Sequence, residues 1–295
     1  GEEPYVQFYD TVDMGDFLEV TGKTFITKKG ERSLDVVSFR VIAKTLLPLP
    51  EKWHGLTDIE IRYRKRHLDL LANPEVHSIF KIRAKIVRTI REFLDAQGFL
   101  EVETPILQAI PGGASARPFM THHNALDADF YLRIAPELFL KRCIVGGMNR
   151  VYEVARCFRN EGIDHSHNPE FTQVEGYIAY MDDTELMVLL EKMVIAVIVA
   201  CGKDPSQIVY RGDTLDFTSP WRRISFRQVL IEEANFDIEA FDGRDTLAKA
   251  AIARGVPVEK KDSRMSILDN LYNHLARSKI IQPTYITHYP AEITP

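Results

Sequence analysis

The sequence predicts an α+β fold, an antiparallel sheet framed by helices, with a β-rich segment ahead of it. Three observations carry this. Apolar and polar residues alternate over Val151 to Phe158 and Phe171 to Tyr180, two strand candidates joined by the loop Asn160 to Pro169 in a hairpin arrangement. Helical spacing of apolar residues dominates before and after that hairpin. The first 45 residues alternate again, as strands do.

In chain order, Phe17 to Gly22, Thr24 to Thr27 and, after a Lys29-Gly30 turn, Ser33 to Val41 predict a β-meander of at most about three strands, fewer than the five of small oligonucleotide-binding barrels. Pro48 and Pro50 end this region, because proline removes a ladder donor and fixes φ, and a domain boundary is placed there. Thr57 with Glu60 forms a capping box for a helix bearing Arg62, Arg64, Lys65, Arg66 and His67. That helix is either a solvated face or a patch near a phosphate backbone or subunit contact. Asn73 as a cap and Pro74 at the first position open a helix whose apolar stripe, Val76 to Leu94, runs to Gly98. The stripe serves either ordinary core or a two-fold contact.

The strand Phe99 to Val102 follows, stopped by Thr104-Pro105. Phe119 to Tyr180 reads as strands with one short helix, Glu137 to Val145. Helices are then expected over Asp182 to Cys201, Ser225 to Ala234 (Ser225 and Gln228 forming a second box), Thr246 to Arg254 ending at Gly255, and Arg264 to Ser278. A strand over Pro283 to His288 closes the pattern.

The 295 residues are 45% apolar, 10% aromatic and 27% charged, which excludes a disordered chain or a disulfide scaffold and allows about two domains. With 42 acidic and 37 basic residues the net charge is -5, so a nucleic-acid contact needs a local basic patch. No charge-free apolar run reaches the ~20 residues of a membrane span, and Gly1-Glu2-Glu3-Pro4 lacks a signal-peptide layout. Cys143, Cys157 and Cys201 form no C-x-x-C pair, which suits a reducing compartment, and a cytoplasmic location is expected.

Common nucleotide, zinc and hydrolase signatures are missing from the sequence. His122-His123 and His165-Ser166-His167 lack the i, i+4 spacing of two imidazoles on a helix face, so they read as loop or phosphate contacts and no metal ligand is assigned. Gly112-Gly113 is a flexible loop. The informative stretch is Arg156 to Tyr180. Period 2 puts Arg159 and Glu161 on one face at the end of one strand, and Phe171, Gln173, Glu175 and Tyr177 on one face of the next. A cation, an aromatic plane and carboxylates crowded on a sheet face are costly to bury unless they pair or meet a ligand, so this is either a polar site or a surface salt-bridge ladder.

This segment resembles motif 2 of class II aminoacyl-tRNA synthetases, an F-R-x-E strand, a loop and a returning strand. The helix ending at Gly98 and F-L-E-V-E-T-P-I-L (Phe99 to Leu107) resemble motif 1. More narrowly, the segments Leu47 to Asp58, Pro111 to Phe119, Thr121 to Asp127 and Leu132 to Arg142 resemble the bacterial-type lysyl-tRNA synthetases. The resemblance implies ATP-dependent activation of L-lysine to lysyl-adenylate, transfer to tRNA(Lys), Mg2+ as cofactor and a homodimer. It implies that Arg159 bridges the lysine carboxylate and the α-phosphate, that Glu161, His167, Asn168 and Phe171 help bind ATP, and that Gly113, Glu137, Glu175 and Tyr177 help bind lysine.

By the same resemblance, residues 1–47 are the end of an OB-fold anticodon-binding barrel, 48–74 a linker and helix, and 75–295 a catalytic domain with an insertion at 202–280. Motif 3 and the acidic magnesium ligands would lie beyond Pro295, so the polypeptide is expected to be part of a longer synthetase and to form no lysyl-adenylate alone. The alternatives are a protein-lysylating paralogue, an aspartyl or asparaginyl relative, and a non-catalytic RNA-binding module of the same fold.

Overall fold

The computed structural model describes residues 2–47, 49, 55–164 and 167–291. The boundary expected at Pro48 and Pro50, and His165 and Ser166, lie outside them. Two compact units, residues 1–83 and 84–295, are described separately.

The first unit opens on a helix, α1 (Glu2–Thr11), where the alternation pointed to strand. Tertiary contacts decide it: the Phe8 ring meets Phe39 edge-on at 5.2 Å, and Lys44 Nζ donates to the Thr11 carbonyl at 2.8 Å. β1 (Phe17–Ile26) and β2 (Arg32–Ala43) then form an antiparallel hairpin, two long strands instead of a three-stranded meander. The expected break becomes a register shift at Thr21/Gly22. A Cβ on Gly22 would lie 2.1 Å from the Asp35 carbonyl oxygen, so glycine lets the strand bend there without ending.

Helix α2 (Ile59–Arg64) is capped by Asp58, whose Oδ1 accepts from Ile61 N at 2.9 Å, one residue later than the expected Thr57. It stops at Lys65, and α3 (Arg66–Ala72) follows. The cause of the break is Asp69, fully buried and accepting from Arg62, Arg66 and Asn73. Two of the five residues in the expected basic patch are thereby neutralised within the fold. Asn73 does not cap α4 (Val76–Ala96), because its side chain also bonds the Leu56 backbone.

In the second unit α4 ends as expected. Gly98 adopts φ 77°, and Phe99 N reaches back to the Leu94 carbonyl at 3.0 Å. The chain continues through β3 (Leu100–Glu101), β4 (Leu107–Gln108), β5 (Met120–His123), β6 (Ala128–Leu132), α5 (Glu137–Val145), β7 (Arg150–Phe158), β8 (Glu170–Ile178) and α6 (Asp183–Ala200). After these come β9 (Ile208–Tyr210), β10 (Asp213–Leu215), β11 (Arg222–Ser225), α7 (Phe226–Ala234), α8 (Arg244–Ala253), α9 (Arg264–Leu271) and β12 (Thr284–Thr287). The helix expected to reach Ser278 leaves α geometry at Leu271 and goes on as a π turn and a short 3-10 turn.

Strands β4, β6 and β5 form an antiparallel sheet. A second sheet has the order β3-β7-β8, with β7 antiparallel to β8 and parallel to β3. The parallel pair is possible because a long connection through β4, β5, β6 and α5 separates its strands. One face of β7 and β8, carrying Tyr152, Val154, Val174 and Ile178, packs on Leu94 of α4 and Leu189 and Met193 of α6. Helix α6 starts in a full capping box between Asp182 and Glu185. At α7 Ser225 accepts from Gln228 N, but the Gln228 amide bonds Glu232, so only half of the expected box forms. Among the described residues no helix is long and apolar enough to cross a membrane.

A separate core joins α7, α8 and α9 through Phe226, Leu230, Leu247, Leu268 and Leu271, all at most 1% exposed. Leu268→Ala should therefore destabilise this unit by about 2–5 kcal/mol. The measurement is denaturant unfolding followed by circular dichroism.

Candidate functional site

The β7–β8 ladder fixes which side chains share the face opposite the apolar core. Its register sets Val151 against Tyr177, Glu153 against Glu175, Ala155 against Gln173, and Cys157 against Phe171. The β7 half of this face is buried and the β8 half is partly open. The predicted parity of Phe171, Gln173, Glu175 and Tyr177 is thus realised. The ladder continues past β7, since Arg159 N donates to the Pro169 carbonyl at 2.8 Å. Beyond it the next amide, Asn160 N, donates to the Arg117 carbonyl at 2.8 Å, tying the 111–119 loop to the end of the strand.

Arg159 lies with its guanidinium 5.0 Å from the centre of the Phe171 ring. Its Nε is buried and has no hydrogen-bond partner among the described residues. A stacked cation with an unspent donor is arranged for an anion that comes from outside. Farther along β8, Glu175 accepts from Tyr177 Oη at 2.8 Å and from Gln173 Nε2. Burial, and then the hydrogen bond to Glu175, push the Tyr177 hydroxyl well above the usual phenol range, so it stays a neutral donor.

Helix α5 supplies the other wall. Glu137 holds Lys141 Nζ at 2.5 Å, and that ammonium lies 5.7 Å from the centre of the Tyr177 ring. Gly113 adopts φ 85°, and a Cβ there would fall 2.7 Å from Glu137 Cβ. Gly113→Ala should therefore displace this loop while leaving the fold intact. Faster amide hydrogen exchange over residues 111–119 with an unchanged melting curve is the expected result.

Gly113, Glu137, Glu175 and Tyr177 are thus brought into one connected group, with Arg159 and Phe171 farther along the same strand pair. Three predicted residues stand apart. Strand β7 ends at Phe158, so Glu161 lies exposed in the following loop and does not share the strand face with Arg159. Asn168 is exposed in the same loop. His167 is exposed too, with its ring Nδ1 2.8 Å from Asp164 Oδ2.

Sequence reasoning gave no role to a buried polar network next to this face. Arg133 and Glu153, 3% and 4% exposed, pair at 2.6 Å. Arg133 also donates to the Arg156 carbonyl at 2.8 Å and to Thr104, while Thr104 Oγ1 donates to Glu153 Oε2 at 2.6 Å. Its signal was present, charged residues set within the apolar runs L-R-I-A and Y-E-V-A. The thiol of Cys157, buried near these charges, has its pKa pushed up chiefly by burial, which disfavours the thiolate. No group of three His, Cys, Asp or Glu able to hold a metal occurs among the described residues.

The family model of class II tRNA synthetases (D, K and N) matches residues 58–295. The lysine–tRNA ligase of Pelotomaculum thermopropionicum is 48% identical over 298 residues, covering 100% of this chain and 58% of the relative. Those of Moorella thermoacetica and Roseiflexus castenholzii are 47% and 48% identical, with 59% and 60% of their lengths covered. The chain spans about three-fifths of the length of these curated relatives.

Proposed function

This chain belongs to the class II tRNA synthetases (D, K and N), and from that premise we propose that the protein carrying it is a lysine–tRNA ligase. One observation carries the proposal: a buried, unpaired donor on Arg159 stands beside an aromatic, acid-lined face. Class II members for aspartate, lysine and asparagine differ in what the substrate side chain needs. Glu175, which accepts from the neutral Gln173 and Tyr177, disfavours a carboxylate and suits an ammonium. An ammonium of the chain's own, Lys141, already rests on Glu137 and over Tyr177.

In the proposed reaction a carboxylate oxygen of lysine attacks the α-phosphorus of ATP, and the bond to the pyrophosphate oxygen breaks. A ribose hydroxyl at the tRNA 3′ end then attacks the lysyl carbonyl and AMP leaves. Arg159 holds the carboxylate and the α-phosphate together; two anions must approach, and a planar guanidinium can donate to both. Coulomb attraction between unit charges 4 Å apart rises from about 1 kcal/mol in water to about 4 kcal/mol at a protein site, so a partly buried Arg159 gains strength. Phe171 stacks on the adenine while Glu161, His167 and Asn168 close over the nucleotide from the loop. Gly113 and Glu137 take the α-amino group; Glu175 and Tyr177 take the side-chain ammonium. Mg2+, which the resemblance implies with ATP, has no ligand set among the described residues, and the chemistry assigned to these residues does not pass through it.

The proposal includes the β1–β2 hairpin as part of an OB-fold anticodon-binding domain over 1–47, a linker and helix over 48–74, and a catalytic domain over 75–295 with its insertion at 202–280. It also includes a homodimer and a cytoplasmic location. The test is lysine-dependent exchange of pyrophosphate into ATP by the longest form of the protein that carries this chain. Exchange with lysine alone among the twenty amino acids is expected; exchange driven by aspartate or asparagine instead would overturn the proposal.

A further inference from the structure

We propose that the buried Arg133–Glu153 pair is a positioning device that leaves Glu175 as the uncompensated acid of the amino-acid pocket and so sets its preference for a cationic side chain. The inference rests on the lysine reading above and deepens it. Glu153 and Glu175 stand directly opposite in the β7–β8 register. Like charges at such a cross-strand position repel, so two bare carboxylates there would compete for one proton or one cation.

The contacts resolve that conflict unequally. Both oxygens of Glu153 are engaged: Oε1 by Arg133 at 2.6 Å, and Oε2 by the Thr104 hydroxyl at 2.6 Å and amide at 3.3 Å. Glu137 is paired with Lys141. Glu175 accepts from Gln173 and Tyr177, both neutral, and no cation pairs with it among the described residues. Arg133 thus cancels the charge of Glu153, and its hydrogen bonds to the Arg156 carbonyl and to Thr104 hold β7 and the residues after β3 in place.

The test uses the longest form of the protein that carries this chain. Glu153→Gln removes the anion and keeps the shape, leaving the Arg133 charge uncancelled at the position opposite Glu175 in the ladder. The lysine KM should rise about tenfold or more while kcat and the ATP KM hold. Inhibition by L-norleucine, a lysine without the side-chain ammonium, should be unchanged. The double variant Arg133→Met with Glu153→Met removes both charges and should retain the preference for lysine over norleucine. Equal weakening of lysine and norleucine in Glu153→Gln would overturn the inference, since loosened packing acts on both. Loss of the preference in the double variant would also overturn it, and it stands as a separate test should the single variant fail to fold. Failure of the unaltered protein to bind lysine would instead overturn the lysine reading itself.

Discussion

Replacing Arg159 by alanine is expected to lower kcat/KM for lysine-dependent ATP–pyrophosphate exchange by about 10³-fold or more, with little loss of stability. Removing one preorganised donor from a charge-stabilising site costs about 10²–10³ in rate, and in the proposed reaction Arg159 serves two anions at once. The small stability effect follows from its surroundings. Among the described residues no acid pairs with its guanidinium and its Nε is unpartnered, so alanine leaves no charge stranded. What alanine takes away is the stack on Phe171. Arg159→Lys should recover only part of the activity, because an ammonium is a point charge and cannot donate to carboxylate and phosphate in one plane. Exchange kinetics and melting curves on the same samples separate the two effects.

Glu175→Gln should raise the lysine KM by about 10²-fold or more while the ATP KM stays nearly constant. A desolvated ammonium without its anion costs about 3–5 kcal/mol, which corresponds to that range. The substitution also has a signature independent of turnover. Tyr177 donates to Glu175 at 2.8 Å, and that bond, after burial, helps hold its hydroxyl above the usual range. In Glu175→Gln the Tyr177 ionisation should move back down, visible as one tyrosine titrating earlier in ultraviolet absorbance. An unshifted tyrosine would mean that Glu175 does not govern this pocket.

Much of this face could be read from the chain because strand parity is a local property. Phe171, Gln173, Glu175 and Tyr177 needed only period 2, and β8 keeps that period from Glu170 to Ile178. Parity failed for Glu161 for the same reason: Arg159 is the last residue whose amide joins the ladder, and the residues after it enter a loop. The break at Lys65 and the capping by Asp58 depend on Asp69 drawing in Arg62 and Arg66, an arrangement that spacing alone does not reveal. Likewise Lys141 on Glu137 obeys helical spacing, whereas its place over Tyr177 depends on how α5 meets β8. The Arg133–Glu153–Thr104 network joins residues 20 to 49 positions apart. Spacing does not bring these residues together; the pairing of β7 with β3 and the hydrogen bonds of Arg133 do.

The central claim is that Arg159 fixes the substrate carboxylate while Glu175, with Tyr177, selects an amino acid with a cationic side chain. Thermal unfolding of the longest form of the protein that carries this chain, with ATP and one amino acid at a time, tests it most directly. Lysine plus ATP should raise the midpoint by several degrees beyond ATP alone, and aspartate or asparagine plus ATP should add nothing. Protection by aspartate or asparagine equal to that by lysine, or no added protection by lysine, would contradict the account.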